Sequence, residues 1–163
     1  MKMNMKQWVA DIIGRKEVTA MPVMTHPGIE MNGHTVREAV SNGQIHAEAV
    51  ERLTRTFPSV AACTIMDLTT EAEAFGAEIA FSDDAVPAVV GYMLADVESI
   101  NQLQIPSLYA GRIPQYLKAN LLAARAMESL PQSGEDGRDP QPLFAGCIDP
   151  FPLLADSTIC QLL

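Results

Sequence analysis

Residues 60–67 read Val-Ala-Ala-Cys-Thr-Ile-Met-Asp (VAACTIMD). The run is small, apolar and β-branched, and it stops on a carboxylate. A strand with one wet face alternates apolar and polar residues, whereas a continuous run of this kind marks a strand buried on both faces, as in a parallel sheet. Asp67 then stands at the carboxyl edge of such a sheet, where α/β folds keep their working groups.

Working outward, the flanks alternate helix and strand. From Asn4 to Glu17, Trp8, Val9, Ile12 and Ile13 recur at helical spacing and predict an amphipathic first helix. TAMPVMTHPG (19–28) predicts a buried strand running into a loop broken by Pro27 and Gly28. Helices follow over Thr35 to Ser41 and Gly43 to Phe57. In the second, Ile45, Ala49, Val50 and Leu53 form the apolar stripe and Glu48, Glu51, Arg52 and Arg55 the wet face, until Pro58 stops it.

After Asp67, Thr69 and Thr70 cap a helix EAEAFG that Gly76 closes. EIAFS and AVPAVVG, on either side of the acidic turn Asp83-Asp84, predict a small β excursion. Asp96 opens a short helix through Leu103. A longer one runs from about Ile113 to Leu130, with Leu117, Leu121, Leu122 and Ala124 inward. PQSGEDGRDPQ (131–141) is a polar loop, and PLFAGCI (142–148) a further buried strand. No internal repeat appears. The order is α/β, either a doubly wound sheet or part of a (β/α) barrel.

Composition narrows the partners. With 163 residues, 48% of them hydrophobic, the chain is of single-domain size. A net charge of −9 would be repelled by nucleic-acid phosphate and by an anionic membrane surface. No apolar stretch approaches the length of a membrane span. Three cysteines, Cys63, Cys147 and Cys160, without metal-like spacing, and an N-terminus lacking a signal-type apolar core point to a reducing cytoplasm. The nine methionines are read as core filling.

The strand-end rule selects His26, after PVMT, and Asp67, after CTIM, as candidate site residues. Asp67 is also placed to cap the helix that follows it. Glu71, one turn further, is a candidate substrate-side group that the helix dipole also favours as a plain first-turn acid. His34 and His46 are expected at the surface. No phosphate-binding glycine loop occurs, since GRIPQYLKAN lacks the spacing, and no nucleophile elbow or His-Glu-x-x-His pair is present. Zinc on His26, Cys63 and Cys147 is chemically feasible, but cysteines inside apolar strands are far more often core, so no metal ligand is assigned.

MPVMTHPGIEMNGHTVREAV, MDLTTEAEAFGAEIAFSDDAVPAVVG, LQIPSLYAGRIPQYLKAN and PLFAGCI together resemble the N-terminal half of the uroporphyrinogen decarboxylase superfamily. The nearer likeness is to its corrinoid-dependent, methylcobamide:coenzyme M type methyltransferases. The resemblance implies a partial TIM (β/α)8 barrel: an N-terminal portion of about three barrel strands with helices and a small β excursion, of a fold whose complete members run to about twice this length. It covers residues 1–151. In the decarboxylases an Asp at this position faces the substrate pyrroles, and an arginine-rich segment after the first strand binds the porphyrinogen carboxylates. PVMTHPGIEMNG has no arginine, and a carboxylate-rich tetrapyrrole needs such cations.

The implied activity is therefore transfer of a methyl group between a corrinoid and a thiol-type acceptor, with Asp67 catalytic and His26 and Glu71 on the substrate side. The alternatives are a tetrapyrrole decarboxylase and a non-enzymatic fragment that binds a partner. The family likeness implies zinc and a corrinoid carried on a partner protein. The zinc ligands belong to the family's later half, so neither group is expected on this chain, which is expected to be inactive by itself.

Pro150 and Phe151 keep the family pattern, and the last residues, PLLADSTICQLL (152–163), depart from it. Read one base out of frame with suitable codons, FPLLADSTICQL becomes SLAGRLYDMS, the segment its relatives carry. Residues 152–163 are thus expected to be an out-of-frame tail. A partial barrel exposes strand edges and apolar faces, which predicts that the expressed chain self-associates or is partly molten. Size-exclusion chromatography with thermal unfolding checks this, and a monodisperse monomer melting cooperatively would contradict it.

Overall fold

The computed structural model describes residues 5–16, 18, 20–57, 59–128 and 143–145, the last three as backbone. Helix α1 spans Met5–Ile13, α2 His26–Met31, α3 Val36–Ser41 and α4 Gly43–Thr56. Strand β1, Ala61–Cys63, leads to α5, Thr69–Ala74. A small antiparallel pair, β2 (Ile79–Ala80) and β3 (Ala88–Val89), and helix α6 (Val97–Asn101) precede α7 (Ile113–Glu128) and β4 (Leu143–Ala145). Strands β1 and β4 pair in parallel, with Ala61 opposite Leu143, Ala62 opposite Phe144 and Cys63 opposite Ala145. The loop 131–141, Cys147, Cys160 and the tail 152–163 lie outside the described residues.

Local chemistry accounts for the ends of these elements. Thr35 caps α3 in a reciprocal capping box with Glu38, and Asp96 does the same for α6 with Ser99. Asn42 accepts from the Gln44 amide at the start of α4. Past α5 the chain turns at Gly76, whose φ of 103° suits a residue without Cβ.

The helices pack against β1. Helix α2 lies so close on α4 that a Cβ on Gly28 would come within 2.1 Å of the Ala49 carbonyl oxygen. Ile29, Val36, Ala39, Val40, Ala49 and Ile65 form one core cluster, with Phe81 and Ile45 against it. A second joins α4, β1 and α7 through Ala47, Val50, Ala62, Ala123 and Met127.

Several expectations are corrected. Residues 20–25 form no strand: Met21, Val23 and Met24 are exposed. Pro22 offers no N–H to a ladder, and side-chain hydroxyls hold the segment instead, Thr25 Oγ1 donating to the Cys63 carbonyl at 3.0 Å and Ser59 Oγ to that of Ala20 at 3.2 Å. Among the described residues the parallel sheet therefore has two strands, where about three were expected. On α1, Val9 and Ile13 face solvent. The buried stripe of α7 is Tyr116, Ala119, Ala123 and Met127, while Leu121 is exposed, because small alanines allow α7 to approach α4 closely and displace the leucines to the flanks. His46 is buried at 1% exposure rather than on the surface. No helix among the described residues is long and apolar enough to cross a membrane.

Gly28→Ala should therefore cost about 1–3 kcal/mol by forcing α2 off α4. Thermal unfolding measures it, with Met31→Ala, at an exposed position of the same helix, as the near-neutral control.

Candidate functional site

The N-terminal ends of α4 and α7 meet at the carboxyl end of β1. Gln115 Oε1 accepts from the Gly43 amide at 3.0 Å, and His46 Nε2 accepts from the Ile65 amide at 2.8 Å, just beyond the strand. The imidazole thus satisfies a backbone donor that the short strand leaves unpaired. Its ring stands edge-on to Tyr116, with centroids 5.1 Å apart.

Asp67 is the centre of this end. Its Oδ1 accepts from the Thr69 amide (2.9 Å) and the Thr69 hydroxyl (2.6 Å). Its Oδ2 accepts from Arg112 Nη1 and from the Tyr116 hydroxyl (2.8 Å). Arg112 also donates through Nε to Glu73 Oε2 (2.5 Å) and through Nη2 to Thr69 Oγ1 (2.8 Å). Its guanidinium lies 5.0 Å from the Phe81 ring centroid, which ties the β2–β3 excursion to the same cluster.

The electrostatics follow from these partners. Burial opposes ionisation of Asp67, but the Thr69 hydrogen bonds and the charge and hydrogen bonds of Arg112 and Tyr116 outweigh it and hold the carboxyl below its ordinary value. For Arg112 burial is likewise outweighed, by the charge and hydrogen bond of Asp67 and the hydrogen bond of Glu73, so the guanidinium is held above its ordinary value. Burial and then the Asp67 charge push Tyr116 upward, keeping it a proton donor. Burial raises Glu71, and the Asp67 charge adds to this. His46 is pushed down to about 4 by burial, against the pull of Asp67.

Of the residues singled out from sequence, Asp67 and Glu71 share this cluster. His26 does not: it opens α2 as its first residue, half-buried, beside Thr25. The alternative of Asp67 as a helix cap is realised in a shifted form, as a turn onto Thr69 just ahead of α5. Arg112, Tyr116, Glu73 and His46 were missed. A signal for two of them existed, since Arg112 and Tyr116 are four apart around the start of a predicted helix and so fall on one face. Beside the cluster, Met66, Leu68 and Thr69 face Val86, Pro87, Ala88 and Val89 across an open, largely apolar groove of about 340 Å³. Among the described residues no group of three His, Cys, Asp or Glu side chains is placed to hold a metal ion.

With this geometry in view, the model of the uroporphyrinogen decarboxylase family (URO-D) matches residues 7–152. The chain belongs to this family. Among solved structures it is similar to a methyltransferase from Methanosarcina mazei, at 21% identity and a TM-score of 0.59. That match covers 80% of the present chain and 40% of the other, so the chain spans less than half of that protein. The family match and this likeness give a TIM-barrel-like α/β fold. No curated protein matches the chain.

His46 sets a pH dependence with a definite sign. Its folded pKa lies below the unfolded value of 6.5, so its contribution is fully present above about pH 6.5 and is lost as pH falls toward about 4. The loss reaches about 3 kcal/mol at 1.36 kcal/mol per unit. Denaturant unfolding between pH 7 and 4 should show this slope, and His46→Gln should flatten it.

Proposed function

We propose that this chain supplies the first part of a (β/α)8 barrel whose mouth transfers a methyl group between a corrinoid, carried by a partner protein, and a thiol-type acceptor. The observation that carries this reading over tetrapyrrole decarboxylation is the charge at the carboxyl end of β1. Segment 22–33 offers no arginine. The buried Arg112 is already engaged by Asp67 and Glu73. Around this cluster, a substrate bearing many carboxylates would meet Asp67, Glu71 and Glu73, while Arg112, the cation among them in the described residues, is already engaged. The apolar groove alongside suits an uncharged surface.

Within this mouth, Glu71 is half-buried and open enough to meet a ligand, with Asp67 as the innermost charge, and His26, half-buried at the start of α2 outside that cluster, is proposed to reach the substrate from a separate position. A zinc-bound thiolate would supply the nucleophile in the methyltransferase branch. The described residues do not fit that metal: Cys63 is buried in β1 and no three-ligand cluster accompanies it. The activity is accordingly proposed for a protein containing the remaining barrel, and the present segment is proposed to be inactive by itself. The two-stranded β1–β4 sheet of the described residues is the part of the chain through which we propose it would associate.

The test uses the full-length parent. Methylcobalamin should lose its methyl–cobalt absorbance on addition of 2-mercaptoethanesulfonate, and uroporphyrinogen should come back with every carboxyl group intact. Release of carbon dioxide from uroporphyrinogen, with methylcobalamin unchanged, would replace methyl transfer by decarboxylation.

A further inference from the structure

Asp67 has a fully buried side chain, yet Met66 and Leu68 on either side of it are 56% and 54% exposed. At the turn into α5, where Leu68 already has helical backbone angles (φ −73°, ψ −5°), one carboxylate points inward and the two apolar side chains beside it point outward. That is the reverse of what solvation alone would select, because an ionised carboxylate leaves water only for a buried cation and a full set of donors. Arg112 supplies the cation from 45 residues away in sequence. It addresses Asp67, Thr69 and Glu73 with three different nitrogens.

We propose that Arg112 is a positioning residue for the mouth: it turns Asp67 inward and so leaves Met66 and Leu68, rather than the Asp67 carboxylate, as the surface that meets the ligand at this point. This rests on the methyl-transfer reading and sharpens it. Opposite Val86, Pro87, Ala88 and Val89, that surface selects an apolar, methyl-bearing group over a cation or a protonated pyrrole, which would need the carboxylate to face it. The charged and titratable groups around Asp67 are Arg112 and Tyr116 at the start of α7, Glu71 and Glu73 on α5, and His46 on α4.

The experiment is a carbon-13 NMR titration of the aspartate carboxyls in the whole chain, with Asp67 assigned by Asp67→Asn and the Met66 methyl followed in parallel. In the unsubstituted protein Asp67 should titrate below the ordinary aspartate value. Arg112→Met should carry it above that value and shift the Met66 methyl resonance. Arg112→Lys, which keeps the charge but not the three-way donation, should lie between. An ordinary titration in the unsubstituted chain overturns the proposal, as does one that Arg112→Met leaves unmoved. Should Arg112→Met fail to fold, the unsubstituted protein and Arg112→Lys still decide. No ligand is involved, so failure here is distinct from failure of methyl transfer, which strikes the functional reading instead.

Discussion

The ion pair between Arg112 and Asp67 is the constraint on which the described end of the molecule depends. Two buried charges attract strongly where water is scarce, but each has lost its hydration, so the pair is favourable only when every donor and lone pair is used. Here each carboxylate oxygen of Asp67 and each nitrogen of Arg112 has a partner: Thr69 and Tyr116 complete Asp67, and Glu73 and Thr69 join it on Arg112. Removing either charge would strand the other, at a cost of about 3–5 kcal/mol.

That cluster also sets how the chain between Gly76 and Gly111 is attached. The β2–β3 excursion touches the body through Ile79 and Val89, which pack on Ala72, Ala77 and Leu94, and through Phe81, over which both Arg112 and Arg37 place their guanidinium groups, at 5.0 and 5.9 Å from the ring centroid. Arg37 further donates to the Phe81 carbonyl and pairs with Asp83. The Arg37 link is exposed and so weak in water. The Arg112 link is shielded. Ile79 and Val89 also pack on the apolar cluster of Ala72, Ala77 and Leu94, so buried charge and apolar packing together hold the excursion that walls the groove.

Much of the architecture was legible beforehand because its signals are local. The opening of α6 at Asp96, the stop at Gly76, the helices α3 to α7 and the β excursion rest on contacts close in sequence, although Thr69 and Thr70, read as caps, lie inside α5. The expected strand at 20–25 failed for a non-local reason: an apolar run becomes a strand only where a neighbour offers a ladder, and side-chain hydroxyls from Ser59 and Thr25 hold this segment instead. The burial of α7 was misassigned in the same way, since the leucines looked like the core until α4 took the alanine face.

For the site, the sequence by itself determined that a carboxylate, Asp67, stands at the end of an apolar strand segment, and that the loop carrying His26 has no arginine. Only the tertiary structure decided which way that carboxylate points. Its direction depends on Arg112 and Tyr116, 45 and 49 residues further along, and on His46 buried beside them. The physical reason is that a buried charge takes its state from partners brought by packing, and spacing along the chain carries no record of which helix end will arrive over it.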